Sequence, residues 1–146
     1  MWIEIDGVNR NYKSINFTLL RDELIDGTKS QTARTNFIPY FKQEKEKYEI
    51  VVIKFKGSPL FLVPIENYYP TWIKDLTEEE AKRDGFDDLE DFKRGLMELN
   101  KIEDSRHICI IIQWNPEERV MLEVIAKKKK KFICKTKGAE DIMAFA

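Results

Sequence analysis

Residues 107–114, His-Ile-Cys-Ile-Ile-Ile-Gln-Trp, are apolar almost without interruption, the pattern of a strand buried on both faces. Such a strand needs neighbours in its sheet and packed material above and below it, so it constrains the rest of the chain. Ile50–Phe55 and residues 60–65 are β-branched and aromatic runs separated by Lys56-Gly57-Ser58-Pro59, which predicts a strand, a turn and a strand. Lys13–Phe17 reads as a further short strand. Residues 120–125 and 132–135 pair as a terminal hairpin, with five consecutive lysines, residues 127–131, between them.

Three segments read as helices. Thr18 is placed to cap a first helix, with Leu19, Leu20, Leu24 and Ile25 facing inward and Gly27 ending it. Thr77-Glu78-Glu79-Glu80 matches the capping box, in which the hydroxyl and the glutamate each satisfy a free backbone N–H of the other. Gly85 interrupts that helix. Another starts at Asp87 or Asp88, and Phe86, Leu89, Phe92, Leu96 and Leu99 fall three or four apart on one apolar face. The order mixes strands and helices without β-α-β regularity, so the expected class is α+β.

At 146 residues the chain is the size of one domain, and 42% hydrophobic with 35% charged residues fits neither disorder nor a membrane protein. No run approaches the roughly 20 apolar residues of a membrane span, and Met1 to Asp6 has neither the basic start nor the apolar block of a signal peptide. The expectation is a cytoplasmic protein with no membrane partner. A net charge of -1 provides no global field for polyanions, so any nucleic-acid contact must come from a local patch. The strong charge runs are residues 42–47, of mixed sign, and residues 127–131, all lysine and a candidate patch. The second reads either as a solvated hairpin or as an auxiliary RNA contact. Cys109 and Cys134 lack metal or redox spacing and read as core residues. His107 is the single histidine, so no multi-histidine metal site is expected, and neither metal nor cofactor enters the reading.

The chemistry concentrates in Gly27-Thr28-Lys29-Ser30-Gln31-Thr32-Ala33-Arg34, read as a loop after the first helix. It carries an ammonium, a hydroxyl and a guanidinium at near-alternate positions, which can converge on a small anion or a polar base edge or else remain solvated. Asn67-Tyr68-Tyr69-Pro70-Thr71-Trp72 reads as a proline-bearing loop. Its rings either close the end of the fold against Phe86 and Phe92, Trp72 above all, or leave Tyr68 or Tyr69 to stack on a base.

The Gly-x-Lys-x-x-Thr-x-Arg pattern of residues 27–34, followed by Ala81-Lys82-Arg83-Asp84-Gly85-Phe86, resembles the ASCH domain family of the PUA-like superfamily, over about residues 13–114. The resemblance implies a PUA-like β-barrel with added helices, spanning residues 1–114, and leaves residues 115–146 as a hairpin-like extension packed on it. It also implies a cleft rimmed by Lys29, Thr32 and Arg34, with RNA or an RNA-derived nucleoside as ligand. One branch of the family hydrolyses N4-acetylcytidine with a lysine base, a threonine nucleophile and a glutamate acid. Those roles fall on Lys29, Thr32 and Asp84, where the aspartate is one methylene shorter. Two readings therefore stand: a binding site of Lys29, Thr32, Arg34 and Asp84 with Tyr68 and Tyr69, or an N4-acylcytidine amidohydrolase. A third gives the extension, through Val120, Leu122, Val124, Phe132 and Ile142, a partner chain. The oligomeric state is left open.

Overall fold

The computed structural model describes residues 1–35 and 49–137, so the charge run at 42–47 and Ile142 lie outside the described residues. Within them nine strands form one sheet and three helices pack on it. β1 (Trp2–Ile5) and β2 (Val8–Asn11) make a hairpin absent from the sequence reading. Asp6 and Gly7 turn it, both in the left-handed region at φ 51° and 79°, as a two-residue turn of this hand requires. Lys56 and Gly57, at φ 48° and 82°, turn β5 (Ile50–Phe55) into β6 (Ser58–Trp72) in the same way. β3 (Lys13–Phe17) lies parallel to β5, and β4 (Gln31–Arg34) lies antiparallel to β7 (Ile108–Trp114). β8 (Val120–Lys128) and β9 (Lys131–Thr136) form the terminal hairpin.

The expected barrel does not close. The strand order is β2-β1-β9-β8-β6-β5-β3, with β7 branching from β6 and β4 from β7, so among the described residues β2, β3 and β4 remain open edges. The cause lies in the fifteen residues of β6. Its first half pairs with β5 and β8, its second half with β7, and the register shifts between Ile65 and Asn67 where the two meet. The sheet forks there instead of curling onto itself.

β7 is buried on both faces as its composition requires. Ile110, Ile112 and Trp114 enter the main core with Phe17, Phe61 and Val63, while Cys109 and Ile111 face the layer of α2 (Glu78–Arg83) and α3 (Leu89–Leu99) with Ile73, Phe92 and Leu96. Cys109 and Cys134 are buried and free; burial pushes the Cys109 thiol up to about 12 and the Cys134 thiol upward too. The capping box of α2 forms, with Glu80 N–H donating to Thr77 and Thr77 N–H to Glu80.

Several expectations fail for local reasons. Thr18 caps nothing, because α1 (Arg21–Asp26) starts after Leu20, which is left-handed at φ 63° and offers no side-chain cap. Leu19 and Leu20 are therefore exposed, and Leu24 alone in the six-residue helix is fully buried. Leu99 is 77% exposed because α3 ends there. Lys101 turns left-handed, its N–H donates to the Glu98 carbonyl, and the Ile102 N–H donates to the Met97 carbonyl, so Ile102 supplies the apolar closure in place of Leu99. Residues 67–72 are strand rather than loop. Trp72, expected in the core, is 44% exposed at the end of β6, where its partner Ile108 is exposed as well. Of the extension, Leu122 and Phe132 pack inside this chain, while Val120 and Val124 are exposed. Among the described residues no helix is long and apolar enough to cross a membrane, and no trio of His, Cys, Asp or Glu side chains is arranged to hold a metal.

Candidate functional site

Two turns carry the site. Gly27, at φ 91°, ends α1, and the Glu23 carbonyl accepts from the N–H groups of both Gly27 and Lys29, which bends the chain so that Lys29 points inward. Asp84 ends α2, and Gly85 follows at φ 93°, with its N–H on the Lys82 carbonyl and the Phe86 N–H on the Ala81 carbonyl. This is a Schellman closure, and it gives the Ala-x-x-Asp-Gly-Phe pattern a physical meaning: Ala81 and Phe86 make the apolar contact and Gly85 takes the conformation other residues resist. A side chain at Gly85 would also press on Leu20 at 3.3 Å and on Lys29 at 3.9 Å.

The turns bring together residues 55 apart in sequence. Lys29 Nζ forms an ion pair with Asp84 Oδ1 and donates to the Asp84 carbonyl at 3.0 Å. Both residues are buried, 5% and 6% exposed. Gln31 Nε2 donates to Asp84 Oδ2 and to the Glu80 carbonyl, each at 2.9 Å. Gln31 Oε1 accepts from Gln113 Nε2 at 2.8 Å, and Gln113 Oε1 accepts from Asn67 Nδ2 and Arg83. Arg83 closes the chain of contacts on Ser30 Oγ at 3.1 Å and on the Trp114 carbonyl at 2.7 Å. Each charged group of the buried pair thus has a further hydrogen-bond partner, Lys29 Nζ in the Asp84 carbonyl and Asp84 Oδ2 in Gln31, which helps a buried pair to be tolerated.

Residues 31–34, expected in a loop, are strand because β7 offers them a pairing partner, Gln31 opposite Gln113 and Thr32 opposite Ile112. The strand alternation then points Thr32 and Arg34 to one side. Arg34 Nε donates to Thr32 Oγ1 at 2.9 Å, and the Arg34 fork donates to the Asn16 carbonyl at 2.9 Å, with the guanidinium 5.3 Å from the Phe17 ring centroid. Lys29 Nζ lies 5.4 Å from the same ring.

Lys29, Thr32, Arg34 and Asp84 all line one cavity of about 370 Å³ beside β4, walled by Phe17, Phe86 and Phe92 and lipped by Leu19, Leu20 and Leu99. The exposed leucines thus stand at its mouth. Tyr68 and Tyr69 do not line it. As neighbours in a strand they face opposite ways, Tyr68 packing on the main core and Tyr69 on the helical layer. Tyr69 donates to the Glu80 carboxylate, and burial followed by that bond raises its phenol above the usual value. The neutral phenol is thereby favoured in the folded state, so its contribution is complete below the ordinary tyrosine pKa of about 10 and is lost as the pH rises through the folded value. In an alkaline absorbance titration Tyr69 is expected to ionise only together with unfolding; its ionisation in the folded protein within the ordinary tyrosine range would contradict its bond to Glu80. Sequence reasoning missed Phe17, Gln31 and Glu80 as parts of the site. Gln31 lies within the motif, but only the register with Gln113 shows what its amide does.

No family model matches the chain, and no curated protein does. In fold it is similar to two crystal structures. One is a protein of Enterococcus faecalis V583 carrying the DUF984 family model, 14% identical, with 73% of each chain covered and a TM-score of 0.49. The other is an ASCH domain from Lactobacillus crispatus JV V101, 12% identical, covering 70% of this chain and 79% of that one with a TM-score of 0.45. The ASCH domain is the family that residues 27–34 and 81–86 resemble.

Proposed function

We propose that this chain binds RNA or an RNA-derived nucleoside, seating one base in the cavity beside β4. The observation that carries the reading is the convergence of Lys29, Thr32, Arg34 and Asp84 on one cavity with aromatic walls. At about 370 Å³ it falls in the range of roughly 300–1,000 Å³ typical of small-molecule sites. A base has flat apolar faces and an edge that mixes donors with acceptors. The cavity offers phenylalanine faces for the first, and for the second the Thr32 hydroxyl, the Arg34 guanidinium and the Asp84 carboxylate. A cytoplasmic setting, where both free thiols stay reduced, goes with this reading.

Hydrolysis of N4-acylated cytidine is the second reading, since its three residues line the same cavity. It needs Lys29 to take the Thr32 proton. Lys29 instead donates twice to Asp84, and Thr32 accepts from Arg34, an arrangement of fixed donors that suits binding.

Calorimetric titration with free nucleosides tests the proposal. Binding of at least one nucleoside is expected, weakened about 3- to 10-fold by Thr32→Val, which removes one neutral hydrogen bond. Arg34→Ala is expected to cost about 10-fold or more, as loss of a charged donor does. N4-acetylcytidine incubated with the protein is expected to come back unchanged. Thr32-dependent release of cytidine would move the assignment to the hydrolase, and absence of any nucleoside binding would remove the base-in-cavity reading.

A further inference from the structure

None of the lysines at 127–131 lines the cavity. The strand registers show where the run goes: Asn11, Trp2, Lys131 and Lys128 are successive cross-strand partners, one from each of β2, β1, β9 and β8. Partners in register project to the same side of a sheet. For this row it is the outer side, because Ile3, Phe132 and Cys134 at the alternate positions pack in a core cluster with Leu62 and Leu122. With strands about 4.8 Å apart, the row is a platform of roughly 14 Å. Trp2 sits within it, 46% exposed.

The charges on this platform are not balanced. Glu4 pairs with Lys131 at 2.8 Å and Glu123 with Lys135 at 3.4 Å, while Lys127, in register with Phe132, belongs to the opposite face and lies over that ring. Lys128, Lys129 and Lys130 are exposed and form no ion pair among the described residues, and of the three Lys128 alone helps the Lys131 bond to hold the Glu4 carboxyl below its usual range. Lysines at hairpin tips often guard sheet edges, and β8 beyond Met121 is paired with β9 alone, but that role does not account for the exposed Trp2, which lies on a strand paired on both sides. An exposed indole beside ammonium groups that form no ion pair calls for a partner with both flat rings and repeated negative charge.

We propose that this outer face is a second contact surface, which takes single-stranded nucleic acid: one base stacks on Trp2, and the flanking phosphates meet Lys128, Lys129 and Lys130. A lipid surface is the poorer fit. Trp2 is flanked on its own face by Glu4, Asn9 and Asn11, which a bilayer interface would strip of water, whereas ribose and base edges supply them with hydrogen-bond partners. This surface goes beyond the cavity, which takes a single base. Neither site needs the other, and nucleoside titration reads the cavity separately.

The test is fluorescence anisotropy of a labelled oligouridylate, and of an oligodeoxythymidylate of equal length, over a series of salt concentrations. Wild-type protein is expected to bind with affinity that falls as salt rises. Lys128→Gln/Lys129→Gln/Lys130→Gln should lower the slope of log K against log salt by about 2, at roughly 0.7 per phosphate contact on a single strand. Trp2→Ala should weaken binding by about 10-fold, the scale of one lost base stack, and Trp2→Phe should retain most of it. All these positions are exposed, and circular dichroism checks that the variants fold. No binding of either strand, a salt slope unchanged in the triple variant, or indifference to Trp2→Ala would each overturn the proposal. Binding to phosphatidylserine vesicles, with no binding to either oligonucleotide, would overturn it in favour of a membrane surface.

Discussion

Lys29→Ala is expected to lower the unfolding free energy by about 3–5 kcal/mol in urea denaturation, because it breaks a buried ion pair. The ammonium and the Asp84 carboxylate have side chains only 6% and 9% exposed, so solvent does little to screen them. Removing the lysine leaves Asp84 buried with Gln31 as its remaining side-chain donor, and an uncompensated buried charge is what makes such a change costly. Asp84→Ala should cost a similar amount by stranding the ammonium. Replacing both, as in Lys29→Met/Asp84→Leu, should recover most of the loss, because the pair itself is worth little against apolar groups of similar size. A fall below about 1 kcal/mol for Lys29→Ala would mean that the pair is not closed in solution. The same arithmetic explains why Thr32 and Arg34 are the residues to change when binding is measured.

Trp114→Ala should cost a comparable amount, about 3–5 kcal/mol, by emptying the middle of the main core. The indole is fully buried and packs edge-on to Phe17 with centroids 6.2 Å apart and against Phe61 at 6.3 Å. Among the described residues its Nε1 has no hydrogen-bond partner, so Trp114→Phe gives up an unsatisfied buried donor along with part of the ring. That variant should recover more than half of the alanine loss in the same denaturation experiment; equal losses would show that the N–H has a partner. The alanine variant should also bind nucleoside more weakly. Phe17, whose ring Lys29 and Arg34 both overlie, would lose its backing.

The parts of this fold that were legible in the sequence are those fixed locally. The unbroken apolar run of β7, the capping box at Thr77, and Gly27 and Gly85 as helix ends each state a requirement that neighbouring residues meet. So does the pairing of Lys29 with Thr32 and Arg34 in one short segment, which the structure brings into a single cavity with Asp84. What was not legible depends on distant partners. Gln-Thr-Ala-Arg becomes strand only because β7 lies beside it, and β1 runs parallel to β9 across more than a hundred residues. Tyr68 and Tyr69 left the site for the same reason: once residues 67–72 are strand, alternation sends one ring to each core. Asp6-Gly7 is a hairpin signal in its own right, the one local cue that the strand reading passed over. The barrel failed because nothing in the composition of β6 says that its two halves take different partners.

The most direct test of the central claim is a nuclear magnetic resonance titration of isotope-labelled protein with the nucleoside that binds best in calorimetry. Shifts that saturate together and centre on Phe17, Lys29, Thr32, Arg34 and Asp84, and that need about 10-fold or more nucleoside in Arg34→Ala, are the predicted result. Shifts confined to Tyr68, Tyr69 and the open end of β6, with the cavity residues unmoved, would contradict it.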